Sequence, residues 1–345
     1  MSSEILSKKT KIQMLGNRRI VVSRPLESKS HILSSVQGYF NGNYYVIRRE
    51  GYLEKIAMRN GEDLIADFPD SIDLKVTNKC SHGCPFCHES SVPNGKSFDL
   101  DRTIKILSQL PEKPIEIAIG GGNIMEDIDK VKDLLEWINK NTPWLSRATV
   151  NIQDVRNLAT GAVINGIGAV GISINSVEDY KELKKFFLED IMSPFPPRYP
   201  FYTTIHVILG IFPENLIGDL IQFAKDEMSV ICKPSILFLG YKSWGRGEMM
   251  YPKEESINKI REIIRSIILQ GEPDVPIVFD NLAIEQLKLR EIIPDIVWEH
   301  TYLGDEGSCS MYIDAVNGEF ARNSRSPERV SWDKVNLLDY FKSLR

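Results

Sequence analysis

Three thiols fall within the eight residues Cys80-Ser-His-Gly-Cys84-Pro-Phe-Cys87, directly after the strand-like run Ile72-Asp-Leu-Lys-Val-Thr-Asn78. No other stretch constrains the fold as tightly, because cysteines this close cannot be spread through a core and must converge on one ion or one cluster. The chain has five cysteines in 345 residues, an odd number with three in one loop. That excludes a disulfide framework and reads as metal binding in a reducing compartment. Thiolates suit iron–sulfur clusters or zinc. A four-iron cluster normally takes four thiolates; this run supplies three, which is the logic of an open site. Zinc would need a fourth ligand from His82 or His88, and His88 adjoins Cys87 more closely than zinc pairs are spaced.

The container for these thiols is legible from residue 72 onward. Strand candidates at Ile72–Asn78, Ile115–Gly120, Ala148–Gln153, Ala169–Asn175, Phe201–Gly210, Ser235–Gly240 and Pro276–Asn281 alternate with helical patterns at Leu100–Leu110, Met125–Asn141, Val177–Leu188, Pro213–Asp226 and Glu254–Leu269. Repeated strand–helix units imply a parallel sheet. A strand buried on both faces should be a continuous apolar run. These alternate instead: Ile72, Leu74 and Val76 interleave with Asp73, Lys75 and Thr77, and Ile205 and Val207 with Thr204 and His206. With helices outside, the polar face must line a lumen, so a barrel or partial barrel is expected, with an open doubly wound sheet as the alternative. Residues 1–70 read as a β-rich appendage with a hairpin at Asn41-Gly42, and 71–283 as the core. Residues 284–345 read as a C-terminal cap with a hairpin through Asn317-Gly318 and a closing helix near Trp332–Leu344.

CxxxCxxC with an aromatic before the last cysteine, placed after the first strand of such a chain, resembles the radical SAM superfamily over residues 72 to about 281. The resemblance implies an α/β fold, a partial (β/α)6-type barrel, with a [4Fe-4S] cluster on Cys80, Cys84 and Cys87. It also implies S-adenosylmethionine on the open iron, cleaved to a 5′-deoxyadenosyl radical that abstracts hydrogen from a substrate, and an external one-electron reductant. Phe86 matches the aromatic whose backbone lies near the adenine. Ile119-Gly120-Gly121-Gly122-Asn123 matches the glycine-rich segment beside the methionyl amino group, except that Asn123 stands where Glu is usual and loses its charge. A glycine run after a strand is otherwise an ordinary strand-to-helix turn. Ser173 and Asn175 match polar positions that meet the ribose or carboxylate, and Leu237 and Leu239 lie on the strand that flanks adenine.

Barrel active sites are built at the C-terminal ends of strands. Tyr241, Lys242 and Arg246 in the loop Gly240–Gly247, and Asp280 after Phe279, are therefore candidates to touch substrate, although Asp before a helix is also a favoured N-cap. His206 is expected as a satisfied interior histidine. Cys232 and Cys309 read as small buried hydrophobes or, as in some radical SAM epimerases, as hydrogen-atom donors. Two spare cysteines cannot hold the auxiliary clusters of many peptide-modifying relatives. A net charge of −5 argues against a whole-surface grip on nucleic acid, although basic residues gather at Lys8, Lys9, Lys11, Arg18 and Arg19 and at Arg322, Arg325 and Arg329. No apolar run approaches the ~20 residues of a membrane span, and the N-terminus lacks an apolar signal stretch, so a cytoplasmic protein is expected. A peptide substrate is favoured over a nucleotide or RNA because the β-rich appendage could pair an extended chain along its edge. A zinc-stabilised binding module without catalysis is the reading from a different class.

Overall fold

The computed structural model describes residues 11–15, 18–22, 37–49, 52–58, 64–160, 167–191, 202–270, 275–295, 298, 302 and 304–345. Lys8 and Lys9 lie outside them. The core strands are β6 (Ser71–Thr77), β7 (Glu116–Gly121), β8 (Leu145–Asn151), β9 (Ala169–Ser173), β10 (Tyr202–Ile208), β11 (Lys233–Leu239) and β12 (Ile277–Phe279). They are all parallel and adjacent in chain order. Among the described residues each crossover carries one α-helix: α1 (Leu100–Leu107), α2 (Ile128–Asn141), α3 (Val155–Thr160), α4 (Val177–Lys185), α5 (Ile217–Asp226) and α6 (Glu254–Gln270), with α7 (Asn281–Gln286) after β12. A doubly wound sheet reverses its strand order at a switch point. Here the order runs from β6 to β12 without reversal, so the expected partial barrel stands and the doubly wound alternative falls.

The two-residue alternation of the strands is what divides the sheet into faces. Ile72, Leu74, Val76, Ile117, Ile119, Val150, Ile172, Ile205, Val207, Ile236 and Phe238 are fully buried, as are Leu107, Leu134, Ile138, Leu183 and Leu220 of the helices. Each such side chain contributes about 1.5–3 kcal/mol by leaving water. The opposite face carries Asp73, Lys75, Thr149, Asn151, Ser173, Thr204, His206 and Ser235, which share rows across the sheet. Thr204 and Ser235 hydrogen bond across it at 2.9 Å.

The C-terminal hairpin extends the sheet. β13 (Ser310–Asp314) pairs in parallel with β6, and β14 (Glu319–Ala321) and β15 (Val330–Ser331) follow antiparallel, so the ten-stranded sheet ends in β12 and β15 without closing. The Asp314 carboxylate makes the turn by accepting from the backbone N–H groups of Val316 and Asn317. The closing helix runs Leu337–Ser343, shorter than its apolar pattern suggests because Asn336 caps it. Near the N-terminus, β1 (Lys11–Leu15) and β2 (Arg18–Val22) form one hairpin, and β3 (Gln37–Asn41), β4 (Tyr44–Arg49) and β5 (Tyr52–Ala57) form a three-stranded antiparallel sheet. The expected β3–β4 hairpin is present, with Gly42 at φ +60° as its first central residue.

Candidate cluster and cofactor site

The cysteine loop leaves the C-terminal end of β6 and is tied down by its own return path. Cys80 N–H donates to the Val92 carbonyl at 3.0 Å, Val92 N–H to Asn78 at 3.1 Å, and Asn78 N–H to Lys96 at 2.8 Å. Within the loop, Cys87 N–H donates to Cys84 O at 3.2 Å and Ser90 N–H to Cys87 O at 3.3 Å. Cys80 is buried and Cys84 and Cys87 are half-buried. Burial, then the charges of Cys80 and Cys87, push the Cys84 thiol up; burial does the same to Cys80 against a backbone hydrogen bond at His82. Thiols at Cys80 and Cys84 that are held back from ionising suit a site completed by a cationic metal. Among the described residues no group of three or more His, Cys, Asp or Glu side chains is disposed around a single metal ion, Cys80, Cys84 and Cys87 included.

Beside this loop the ends of β7 and β8 form a polar corner. Asn123 is buried; its N–H donates to Lys79 O at 2.6 Å, its Oδ1 caps a short 3-10 turn by accepting from Met125 N–H, and its Nδ2 donates to Asp154 Oδ2 at 3.0 Å. Asp154 Oδ2 also lies 2.7 Å from His82 Nε2, in the middle of the cysteine run. Glu126 accepts from Ser81 N–H at 2.6 Å. The carboxylate absent at Asn123 is thus present one hydrogen bond away, on Asp154. Sequence reading missed Asp154, whose only signal is a position three residues past the polar end of β8.

The three glycines differ in kind. A Cβ on Gly121 (φ +128°) would stand 2.4 Å from Thr77 O, and one on Gly122 2.2 Å from Lys79 O, so both let β7 pack against β6. Gly120 has nothing within 4 Å of that position and faces open space. Asn175 N–H is held by Asp179 at 2.7 Å, while its side-chain Oδ1 is buried with no partner. Ser173 and Phe86 are half-buried, as are Leu237 and Leu239, whose position on β11 puts them on the otherwise polar face beside His206. An orphaned acceptor, an open glycine, an apolar pair and three thiols along the C-terminal edge of one sheet fit S-adenosylmethionine on a cluster.

Of the four catalytic candidates, Cys309 and Cys232 lie at the opposite, N-terminal edge of the sheet, while Tyr241 and Asp280 follow β11 and β12 at the same edge as the cysteine loop. Cys309 O accepts from Asp70 N–H at 2.8 Å, at the start of β6, so about 20 Å of strand separates it from the cysteine loop. Cys232 precedes β11, at the same N-terminal edge, and is buried in the hydrophobic core; burial pushes its thiol up to about 12, against a hydrogen bond with Thr203. The structure brings neither thiol to the site. Asp280 is the N-cap of α7, its Oδ1 accepting from Ala283 N–H at 2.7 Å and Gly240 N–H at 2.9 Å. Tyr241 is buried and donates to Gly247 O at 2.6 Å. Both are spent on backbone. Lys242 Nζ reaches Ser324 Oγ at 2.8 Å, and Arg246 binds the cysteine loop rather than open space.

On the polar face, Lys75 pairs with Glu89 Oε2 at 2.5 Å and Asp314 Oδ2 at 3.2 Å, which joins the cysteine loop to β13. Tyr312 donates to Glu89 at 3.3 Å, with Arg329 stacked 4.9 Å over its ring. Arg325 pairs with Glu306 at 3.0 Å. Arg329 and Arg325 are thus half-buried against Tyr312 and Glu306, while Arg322 is exposed and bonds the Glu306 and Leu344 carbonyls. Asp73 keeps accessible surface although Lys242, Glu116, Glu306 and Asp280 surround it, as a side chain lining an internal polar space does. His206 is pushed down to about 4 by burial and Arg147, so its imidazole is neutral near pH 7. No helix among the described residues is long and apolar enough to cross a membrane.

No protein-family model matches the chain and no curated protein matches it. Solved structures do. The crystal structure of Streptococcus suis SuiB bound to S-adenosylmethionine superposes with a TM-score of 0.56 at 16% identity, covering 81% of this chain and 66% of that one. SuiB bound to its precursor peptide SuiA gives 0.54 at 15%, covering 81% and 65%. The chain thus spans slightly less than two thirds of the SuiB length, and the likeness at this identity is one of fold. The chain shares the fold of these structures, one of which holds S-adenosylmethionine and the other a precursor peptide.

Proposed function

We propose that the chain is a radical SAM enzyme that holds a [4Fe-4S] cluster on Cys80, Cys84 and Cys87 and acts on a peptide. The observation that carries this reading is the half-buried three-thiol loop at the C-terminal edge of a parallel partial barrel, beside Gly120 and the unpartnered Asn175 Oδ1. When bound and reduced by one electron, S-adenosylmethionine on the cluster supplies hydrogen-atom abstraction. This chain's residues do the rest. Asp154, positioned by Asn123 and His82, offers the methionyl amino group a carboxylate. Asn175 Oδ1 offers an acceptor to the ribose or amino-acid end. Leu237 and Leu239 offer the adenine an apolar strip, and the polar face around Asp73 and Tyr312 faces the substrate.

The peptide reading draws on two supports: the fold is shared with a protein whose crystal structure holds a precursor peptide, and among the described residues β3 is an edge strand of its sheet. The test is anaerobic reconstitution with iron and sulfide, followed by electron paramagnetic resonance of the reduced protein and assay for 5′-deoxyadenosine. The expected result is a cluster signal and product that both vanish in Cys80→Ala. Stoichiometric zinc without iron, or product unchanged in Cys80→Ala, overturns the reading.

A further inference from the structure

The loop that follows β11 presses on the cysteine loop from 162 residues away in the chain. Gly245 takes φ +56°, and a Cβ there would stand 2.5 Å from Ser90 Oγ and 2.6 Å from the His88 carbonyl oxygen, so the two loops touch only because the residue is glycine. Arg246, next in the chain, then makes four hydrogen bonds to the cysteine loop. Its backbone N–H donates to Cys87 O and to Ser90 Oγ, each at 3.0 Å. Its guanidinium donates from Nε to Cys84 O and from Nη1 to Ser91 O, each at 2.9 Å. The third guanidinium nitrogen, Nη2, is buried with no acceptor. The loop carrying Arg246 is itself anchored: Tyr241 bonds Gly247 O, and its backbone N–H and carbonyl both bond the Gln286 side chain on α7 at 2.8 Å.

We propose that Arg246 is the positioning residue of the cluster-binding loop, and that its fixed positive charge raises the reduction potential of the cluster bound there. The proposal rests on reading Cys80, Cys84 and Cys87 as cluster ligands. Between Cys84 and Ser91 the backbone bonds internal to the loop are the single-turn ones from Cys87 N–H to Cys84 O and from Ser90 N–H to Cys87 O, and Arg246 ties down the carbonyls of two of the three ligands. A guanidinium suits the task because its planar fork spans two acceptors at once and never deprotonates. Buried donors are rarely left unpaired; Nη2 is a donor waiting for an acceptor, and ligand or cluster sulfur would be one. A cation and donor in that place stabilise the added negative charge of the reduced cluster, and hydrogen bonds and charge of this sort are what tune cluster potentials.

Arg246→Gln and Arg246→Lys test this in two arms. In the metal-free protein, hydrogen exchange across residues 80–92 should quicken several-fold in both variants, since neither side chain spans Cys84 O and Ser91 O together. In the reconstituted protein, Arg246→Gln should lose iron to a chelator about tenfold faster and show a lower midpoint potential in a dithionite titration. Arg246→Lys, which keeps the charge, should hold the potential nearer that of the unsubstituted protein. Unchanged exchange in both variants overturns the positioning role. A potential that stays put in Arg246→Gln overturns the electrostatic one. If the unsubstituted protein takes up no iron, the cluster reading fails, while the exchange comparison still decides the clamp.

Discussion

At the scale of single residues, the three glycines after β7 make a separable prediction. Gly120→Ala adds a methyl to open space and should leave the melting temperature nearly unchanged, while S-adenosylmethionine binding weakens because the cradle is filled. Gly121→Ala combines positive φ with a 2.4 Å clash against Thr77 O, and Gly122→Ala a 2.2 Å clash against Lys79 O, so each should destabilise by about 2 kcal/mol or more. Thermal unfolding paired with equilibrium dialysis of the cofactor separates the two outcomes. Asp154→Ala should weaken cofactor binding about tenfold or more, the loss expected for one hydrogen bond to a charged group, and cost about 1–3 kcal/mol of stability by removing the acceptor of the buried Asn123 amide. Dialysis with labelled S-adenosylmethionine reads it, and equal affinity in the variant would show that Asp154 does not take the amino group. Sequence reading could find Asn123 as a departure from pattern but not its remedy. Asp154 lies 31 residues on, and only the adjacency of β7 and β8 brings the two side chains to 3.0 Å.

At the scale of elements, one buried carboxylate gathers much of the polar contact between the N-terminal three-stranded sheet and the core, beside the packing of Tyr39, Tyr44 and Val46. Asp70, 1% exposed, accepts from Asn41 Nδ2 at 2.7 Å and Tyr44 OH at 2.6 Å and pairs with Lys55 at 3.0 Å, while its backbone N–H and carbonyl bond Cys309 and Glu116. Removing one partner of a buried, hydrogen-bonded pair leaves an uncompensated charge and destabilises by about 3–5 kcal/mol. Asp70→Ala is expected to fall in that range in urea unfolding and to open residues 37–58 to proteolysis before the core. The same neighbourhood makes Cys309 structural, as the core makes Cys232. Cys232→Ala and Cys309→Ala should therefore leave 5′-deoxyadenosine formation unchanged in a per-cluster assay. A cysteine's compass bearing is not written in its local sequence. Cys80 follows β6 in the chain, but that Cys309 adjoins the opposite end of that strand follows only from the parallel register Ser310–Ser71.

At the scale of the whole molecule, the polar face inside the sheet sets a pH dependence. Burial, against the pull of Lys242, pushes the Asp73 carboxyl up from 3.8 to about 6. The folded chain then holds this proton more tightly than the unfolded chain. Stability from this group is complete below pH 3.8, declines as pH rises through about 6, and stays reduced above it. Asp73→Asn should thus raise stability at pH 8 by on the order of 1 kcal/mol after solvent screening, with no gain at pH 3.5; urea unfolding at the two pH values checks the sign. Such a group was legible only as the polar member of an alternating strand. Its environment comes from β7, the β11 loop, α7's cap and the turn before β13, which no local window contains. What the sequence determined by itself was whatever depends on spacing along the chain: three thiols on one loop, apolar residues two apart in strands, and helices of crossover length, because those follow from backbone period and side-chain chemistry. What only the tertiary structure decided was which distant residues share a corner. Arg246 reads in sequence as a loop arginine open to substrate, and folding turns it onto the carbonyls of Cys84 and Ser91, because β11 and β6 release their following loops toward the same edge of one sheet.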